Sequence, residues 1–251
     1  MQKYTAPIEV SFQNILKGET MNVQGLQKLT LLDYPGKVAC TVFLAGCNFR
    51  CPFCHNASLV TRIDPKNDIP EQDVLKFLKK RRGMLDGVCI TGGEPLLAPG
   101  LETFIREIRA MGYLVKLDTN GSSAGRLESL VEKGLVDYVA MDIKNSPAKY
   151  AQTIGLGEYD LENVKKSIKC LMGGQIAYEF RTTVVREFHK REDFEEIGRW
   201  LCGAENYYLQ SFVDSGDLIC PGLRGYTLEI MEQALEIVKK YVPNAQLRGI
   251  E

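Results

Sequence analysis

Six times along this chain a short run of β-branched and apolar residues is followed by a stretch whose apolar residues recur every three or four positions. Nothing else in the sequence limits the fold as strongly. The runs cover residues 38–44, 87–91, 114–118, 138–143, 177–185 and 207–213, each short enough to be a buried strand. Between and after them, residues 71–82, 101–111, 124–133, 161–172, 191–201 and 227–241 carry the helical spacing. Strand alternating with helix predicts βαβ units and a parallel sheet. The pattern fits an open doubly wound sheet or an incomplete (β/α) barrel. Either places ligands beyond the carboxyl ends of the strands. Residues 1–24 show no clear period and predict an N-terminal extension. Without a Pro/Gly/Ser linker, residues 25–251 read as one domain.

At 251 residues with 45% hydrophobic and 25% charged side chains, such a domain can bury a sizeable core. A formal net charge of -1 offers no electrostatic footprint for nucleic acid. No apolar run approaches the roughly 20 residues that cross a bilayer. The N-terminus lacks the basic-then-apolar order of a signal peptide, so a cytoplasmic protein without membrane partners is expected.

In a reducing compartment, clustered cysteines more often bind metal than pair. Of the 8 cysteines, Cys47, Cys51 and Cys54 share one loop just after the first strand, and the other five are scattered singly. A CxxxCxxC set can hold three corners of an iron–sulfur cube. With no fourth cysteine nearby, one iron stays open to a ligand, as in a catalytic metal site. Zinc with His55 as fourth ligand is the competing reading. The absence of a second ligand pair argues against it, as does the adjacency of His55 to Cys54.

The second strand ends in Thr91-Gly92-Gly93-Glu94-Pro95, where paired glycines let backbone carbonyls approach a ligand such as an ammonium group. The third ends in Asp118-Thr119-Asn120-Gly121 and the fourth in Met141-Asp142-Ile143-Lys144. Two carboxylates at adjacent strand ends repel unless positive charge lies between them, and a monovalent cation or Lys144 could supply it. Helix N-caps are the plainer alternative for Asp118 and Asp142. An inward-facing Arg181 on the fifth strand would call for an anion.

The CxxxCxΦC pattern, with Phe53 before the last cysteine, resembles the radical S-adenosylmethionine (SAM) superfamily. The resemblance implies an incomplete (β/α)6 barrel with parallel strands. It also implies a [4Fe–4S] cluster on Cys47, Cys51 and Cys54, whose open iron chelates SAM and whose electron cleaves it to a 5′-deoxyadenosyl radical. By the same resemblance Gly92, Gly93 and Glu94 hold the methionine amino group. Asp118, Thr119 and Asp142 form a monovalent cation site, and Lys144 and Arg181 contact the cofactor carboxylate. Gln210 or Phe212 is expected near the adenine.

The stretch 25–56, with Leu32-Asp33-Tyr34-Pro35-Gly36 before the first strand and Cys54-His55-Asn56 after it, is similar to activating proteins of anaerobic ribonucleoside-triphosphate reductases. That branch implies a glycyl radical enzyme as partner, anaerobic ribonucleotide reductase in particular, and a flavodoxin- or ferredoxin-type reductant. A radical enzyme acting on a small molecule or on another glycyl radical enzyme is the alternative. The glycine- and proline-bearing residues 214–224 are expected as a mobile loop at the barrel mouth.

Overall fold

The computed structural model describes residues 21–250. Eight strands form one sheet in chain order. They are β1 (Val23–Thr30), β2 (Ala39–Leu44), β3 (Gly87–Gly92), β4 (Leu114–Thr119), β5 (Tyr138–Asp142), β6 (Ala177–Val184), β7 (Tyr207–Ser211) and β8 (Gln246–Arg248). β1 runs antiparallel to β2, and every later pair is parallel. A doubly wound sheet must reverse its strand order once. Here each crossover advances by one strand, so right-handed connections stack the helices on one face and the sheet curls. β1 and β8 end the sheet without pairing to each other, leaving an incomplete barrel.

The helices are α1 (Ala57–Thr61), α2 (Glu71–Lys80), α3 (Leu101–Ala110), α4 (Ala124–Glu132), α5 (Tyr150–Thr153), α6 (Glu162–Met172), α7 (Arg191–Trp200) and α8 (Leu228–Lys239). α3 shows why they form. Leu101, Phe104, Ile105 and Ile108 recur at three- and four-residue spacing and are all buried, each contributing about 2 kcal/mol. They pack on outward-facing strand residues such as Val88, Ile90, Val115 and Leu117, which are fully buried. The alternate residues face the barrel interior, and that interior is polar: Thr91, Asp118, Asp142, Arg181 and Thr183 line it.

The six expected strands correspond to β2–β7. β1 and β8 are additional, as are α1 and α5, which at five and four residues are too short to show a helical period. β1 begins at Val23, and Met21 is buried, so the sheet starts before the expected boundary at residue 25. Residues 1–20 lie outside the described residues. Among the described residues no helix is long and apolar enough to cross a membrane. The 214–224 segment is irregular but docked. Asp217 accepts from the Ser58 amide at 3.1 Å and hydroxyl at 2.8 Å and pairs with Arg62. The Cys220 amide donates to the Pro52 carbonyl at 2.9 Å.

Candidate active site

The chain leaves β2 straight into the cysteine loop, which is held mainly by its backbone. Gly46 N donates to Leu59 O at 2.8 Å, Arg50 N to Ile154 O at 2.8 Å and Cys54 N to Cys51 O at 3.0 Å. Two further bonds stitch it to the end of β3: Gly93 N to Leu44 O and Glu94 N to Gly46 O, both 2.8 Å. The approach explains the paired glycines. A Cβ on Gly93 would overlap the Gly46 carbonyl and come within 3.3 Å of Cys47 Cβ. Gly92 has φ +121, a conformation that side chains rarely adopt.

Cys47, Cys51 and Cys54 line one cavity of about 390 Å³ at the carboxyl end of the strands. Burial pushes the Cys51 thiol up to about 12 and raises Cys47 and Cys54 as well. Cys47 and Cys51 are buried and Cys54 partly so, and thiols held above their ordinary range in one loop suit a metal group that replaces their protons. Among the described residues no three His, Cys, Asp or Glu side chains gather as ligands of a single metal ion would. A cube takes one thiolate per iron, and three thiols lining one cavity are the donor type such a group takes. His55 is turned away from the thiols. Its Nε2 lies 2.9 Å from the Val213 carbonyl, and its ring stacks on Phe212 at 5.4 Å. A zinc site using His55 would have to break both contacts.

The opposite wall is a row of charges on β4, β5 and β6. Arg181 faces inward and lies between the two carboxylates, with NH1 3.2 Å from Asp118 and Nε 3.0 Å from Asp142. Lys144 flanks Asp142 at 2.9 Å, and Lys116 pairs with Asp118 from below. Neither aspartate caps a helix: the caps of α4 and α5 are Ser123 and Lys149. Burial alone would push the Asp142 carboxyl up, yet Arg181 and Lys144 hold it down at about 2. Burial likewise opposes ionisation of Asp118, but Arg181 and Lys116 keep it below the usual aspartate range. Three cations against two carboxylates leave this wall with an excess of positive charge. Behind it, His189 is fully buried. Its Nδ1 accepts from the Val185 amide at 3.1 Å, so Nε2 carries the proton and donates to the Lys144 carbonyl at 2.9 Å.

The structure separates Gly92 and Gly93 from Glu94. The two glycines line the cavity. The Glu94 carboxylate is turned away, 1% exposed, and accepts from Leu96 N at 3.0 Å, Thr119 Oγ1 at 2.8 Å and Asn120 N at 2.6 Å. It ties the β3 loop to the β4 loop, and burial pushes its carboxyl up to about 7. Thr119 lines the cavity while its hydroxyl proton is committed to Glu94. Gln210 lines the cavity; Phe212 packs on His55 instead.

Three participants escaped the sequence reading. Lys116 stands two residues before Asp118, and strand period alone puts both on one face. Asn120 donates to Asn48 at 3.0 Å and reaches Cys47 Sγ at 3.7 Å, binding the β4 loop to the cysteine loop. Asp33, bonded by Thr41 at 2.5 Å, lines the cavity from the β1–β2 connection. The last two stand inside the quoted motifs 118–121 and 32–36, but nothing in those motifs told what their side chains would touch.

With this geometry in hand, the likeness to known proteins is informative. The sequence profile of the Radical SAM superfamily matches residues 41–201. The chain is 31% identical over 238 residues to a protein of Methanocaldococcus jannaschii named as a glycyl-radical enzyme activating enzyme, covering 91% of this chain and 96% of that one. It is 28% identical over 153 residues to the pyruvate formate-lyase-activating enzyme of Clostridium pasteurianum, covering 59% of this chain and 63% of that one. Among solved structures, SuiB of Streptococcus suis bound to S-adenosylmethionine superposes with a TM-score of 0.64 at 16% identity, over 81% of this chain and 48% of that one. The cysteine loop, the glycine pair and the charged wall all lie within or beside the matched span, and the chain belongs to the radical SAM superfamily.

Proposed function

We propose that this chain is an activase that generates a glycyl radical on a partner enzyme, with anaerobic ribonucleotide reductase as the target. The observation that carries this reading is the likeness to the Methanocaldococcus activating enzyme, which runs over nearly all of both chains. The chemistry supplied when a [4Fe–4S] cluster and S-adenosylmethionine are bound is one-electron reductive cleavage followed by hydrogen-atom abstraction. A flavodoxin- or ferredoxin-type protein would supply the electron.

The chain's own residues would hold these groups. Cys47, Cys51 and Cys54 would ligate three irons. The positive excess of the wall favours an anion at Lys144 and Arg181, which suits the cofactor carboxylate. Backbone carbonyls of Gly92 and Gly93 would accept from its ammonium. The Gly92 carbonyl already takes Asn56 Nδ2 at 2.9 Å and keeps a second lone pair free. Glu94 acts on these residues by fixing the loops rather than by touching the cofactor. A monovalent cation at Asp118 and Asp142 would share those carboxylates with Arg181, and activity that depends on potassium or sodium would support it.

The test is anaerobic incubation of the reconstituted protein with SAM, a reductant and candidate glycyl radical enzymes, read by electron paramagnetic resonance (EPR). A glycyl doublet on anaerobic ribonucleotide reductase, absent when its radical glycine is replaced by Ala, is the expected result. A doublet on another glycyl radical enzyme alone would redirect the target. Hydrogen abstraction from a nucleoside with no protein partner would overturn the activase reading.

A further inference from the structure

Lys144 brings its charge to the cavity from a position beyond the end of the sheet. β5 ends at Asp142, and bonds to β6 reach as far as Ile143. The Ile143 amide donates to the Arg181 carbonyl at 2.7 Å, and its carbonyl accepts from Thr182 Oγ1 at 2.7 Å. One residue further on, the Lys144 carbonyl takes its bond from a side chain, His189 Nε2, at 2.9 Å. A lysine ammonium is a point charge on a flexible stem. The backbone that bears the stem must therefore be fixed if the ammonium is to meet a ligand in one geometry.

His189 is built to hold. It is fully buried, its ring stacks on Phe194 at 6.1 Å, and it meets Phe53 edge-on at 6.5 Å. The turn that carries it is tied down as well. His189 N donates to the Val185 carbonyl at 2.9 Å, Asn145 Nδ2 to the Phe188 carbonyl at 3.1 Å and the Tyr226 hydroxyl to the His189 carbonyl at 2.8 Å. The partners of the ring nitrogens fix its tautomer. A carbonyl only accepts, so the Lys144 carbonyl requires the proton on Nε2, and the bare Nδ1 accepts from Val185 N at 3.1 Å. The Val185 carbonyl, 3.2 Å from Nδ1, would need a second ring proton, which burial opposes. With both nitrogens committed, the imidazole keeps neither a proton nor a lone pair for chemistry.

Resting on the reading that Lys144 meets the cofactor carboxylate, we propose that His189 is the positioning residue of Lys144. Its Nε2–H fixes the Lys144 backbone and so the point from which the ammonium reaches SAM. His189 itself touches no ligand. Its two bonds can be separated by substitution. A glutamine can place its amide nitrogen where Nε2 stands, whereas an asparagine places its oxygen near Nδ1 and reaches no further. His189→Gln therefore keeps the bond to Lys144 and drops that from Val185, and His189→Asn does the reverse.

The experiment measures SAM affinity of the cluster-loaded protein by anaerobic equilibrium dialysis at matched iron content. His189→Gln should bind SAM within about twofold of wild type, and His189→Asn about tenfold more weakly. In a Lys144→Met background His189→Asn should weaken binding no further, because a residue acting through Lys144 has nothing left to act on. A second measurement needs no variant to fold. The chain has two histidines, so ring-nitrogen magnetic resonance of the wild-type protein resolves His189, which should carry its proton on Nε2. A proton on Nδ1, equal affinities of the Gln and Asn variants, or a further loss in the Lys144→Met background overturns the proposal and leaves the cofactor reading standing. Wild-type affinity in Lys144→Met alone overturns both the proposal and the role of Lys144 on which it rests.

Discussion

The two sides of the cavity are built on opposite principles. The cysteine loop is held by backbone: main-chain bonds tie it to α1, to β3 and to the segment after α5, and glycines allow strands to approach closer than any side chain would permit. Its three cysteines carry thiols that burial holds above their ordinary range. The facing wall is held by side chains, five charged groups in a row whose carboxylates are each kept ionised by two cations. The first side resists changes of shape and the second resists changes of charge. On the proposed reading, that division would serve a site with a bulky inorganic group on one face and a zwitterion on the other.

Exchanging the thiols breaks the contrast most completely. Cys47→Ala, Cys51→Ala or Cys54→Ala should each take iron and sulfide from full content to near none, since two thiolates hold a cube poorly. Cys40→Ala, Cys89→Ala and Cys202→Ala should retain the cluster, and elemental analysis separates the two groups. On the charged wall, Arg181→Met leaves two partly buried carboxylates with one lysine each, and up to about 3 kcal/mol of stability should be lost in urea denaturation. Arg181→Lys should recover part of it, because a point charge cannot reach both carboxylates as the guanidinium fork does. If the loss is under 1 kcal/mol, the wall is solvated and the contrast fails.

A shape change tests the other side. Gly93→Ala should cost up to about 3 kcal/mol, because the new Cβ meets the Gly46 backbone rather than a movable side chain. It should also reduce cluster content. A wild-type melting temperature would show that the loop yields.

The smallest effect concerns acid. The Asp142 carboxyl lies at about 2 in the folded protein, against 3.8 as its ordinary value. Its contribution is therefore fully present above about pH 4 and is lost as the pH falls through 2. At 1.36 kcal/mol per unit this amounts to about 2 kcal/mol. The stability difference between wild type and Asp142→Asn, followed by denaturation from pH 5 to 2, should shrink by that amount on acidification.

Much of this could be read from local pattern. The six parallel strands follow from short apolar runs, and the grouping of three thiols on one cavity wall from three cysteines within eight residues. The need for positive charge between Asp118 and Asp142 follows from their places at neighbouring strand ends. Lys144, one source expected for that charge, does flank Asp142 at 2.9 Å; that Arg181 lies between the two carboxylates could not be read. Arg181 is 39 residues from Asp142 and 63 from Asp118, and only the parallel register of β5 and β6 brings it between them. The bonding of Glu94 could not be read for a related reason. Its motif lies at the cavity, but donors from the β4 loop turn the carboxylate inward.

The sequence by itself determined the fold class, the cysteine loop and which strand ends carry glycine pairs and charged side chains, because each depends on residues within a few positions of one another. Tertiary structure alone decided that the sheet curls open between β1 and β8, that Asp217 and Cys220 dock the 214–224 segment, and that the Tyr150 hydroxyl is buried without an acceptor. Each of these rests on contacts between segments far apart in the chain. Such contacts are selected by packing and by the satisfaction of buried polar groups, and neither leaves a periodic trace in sequence.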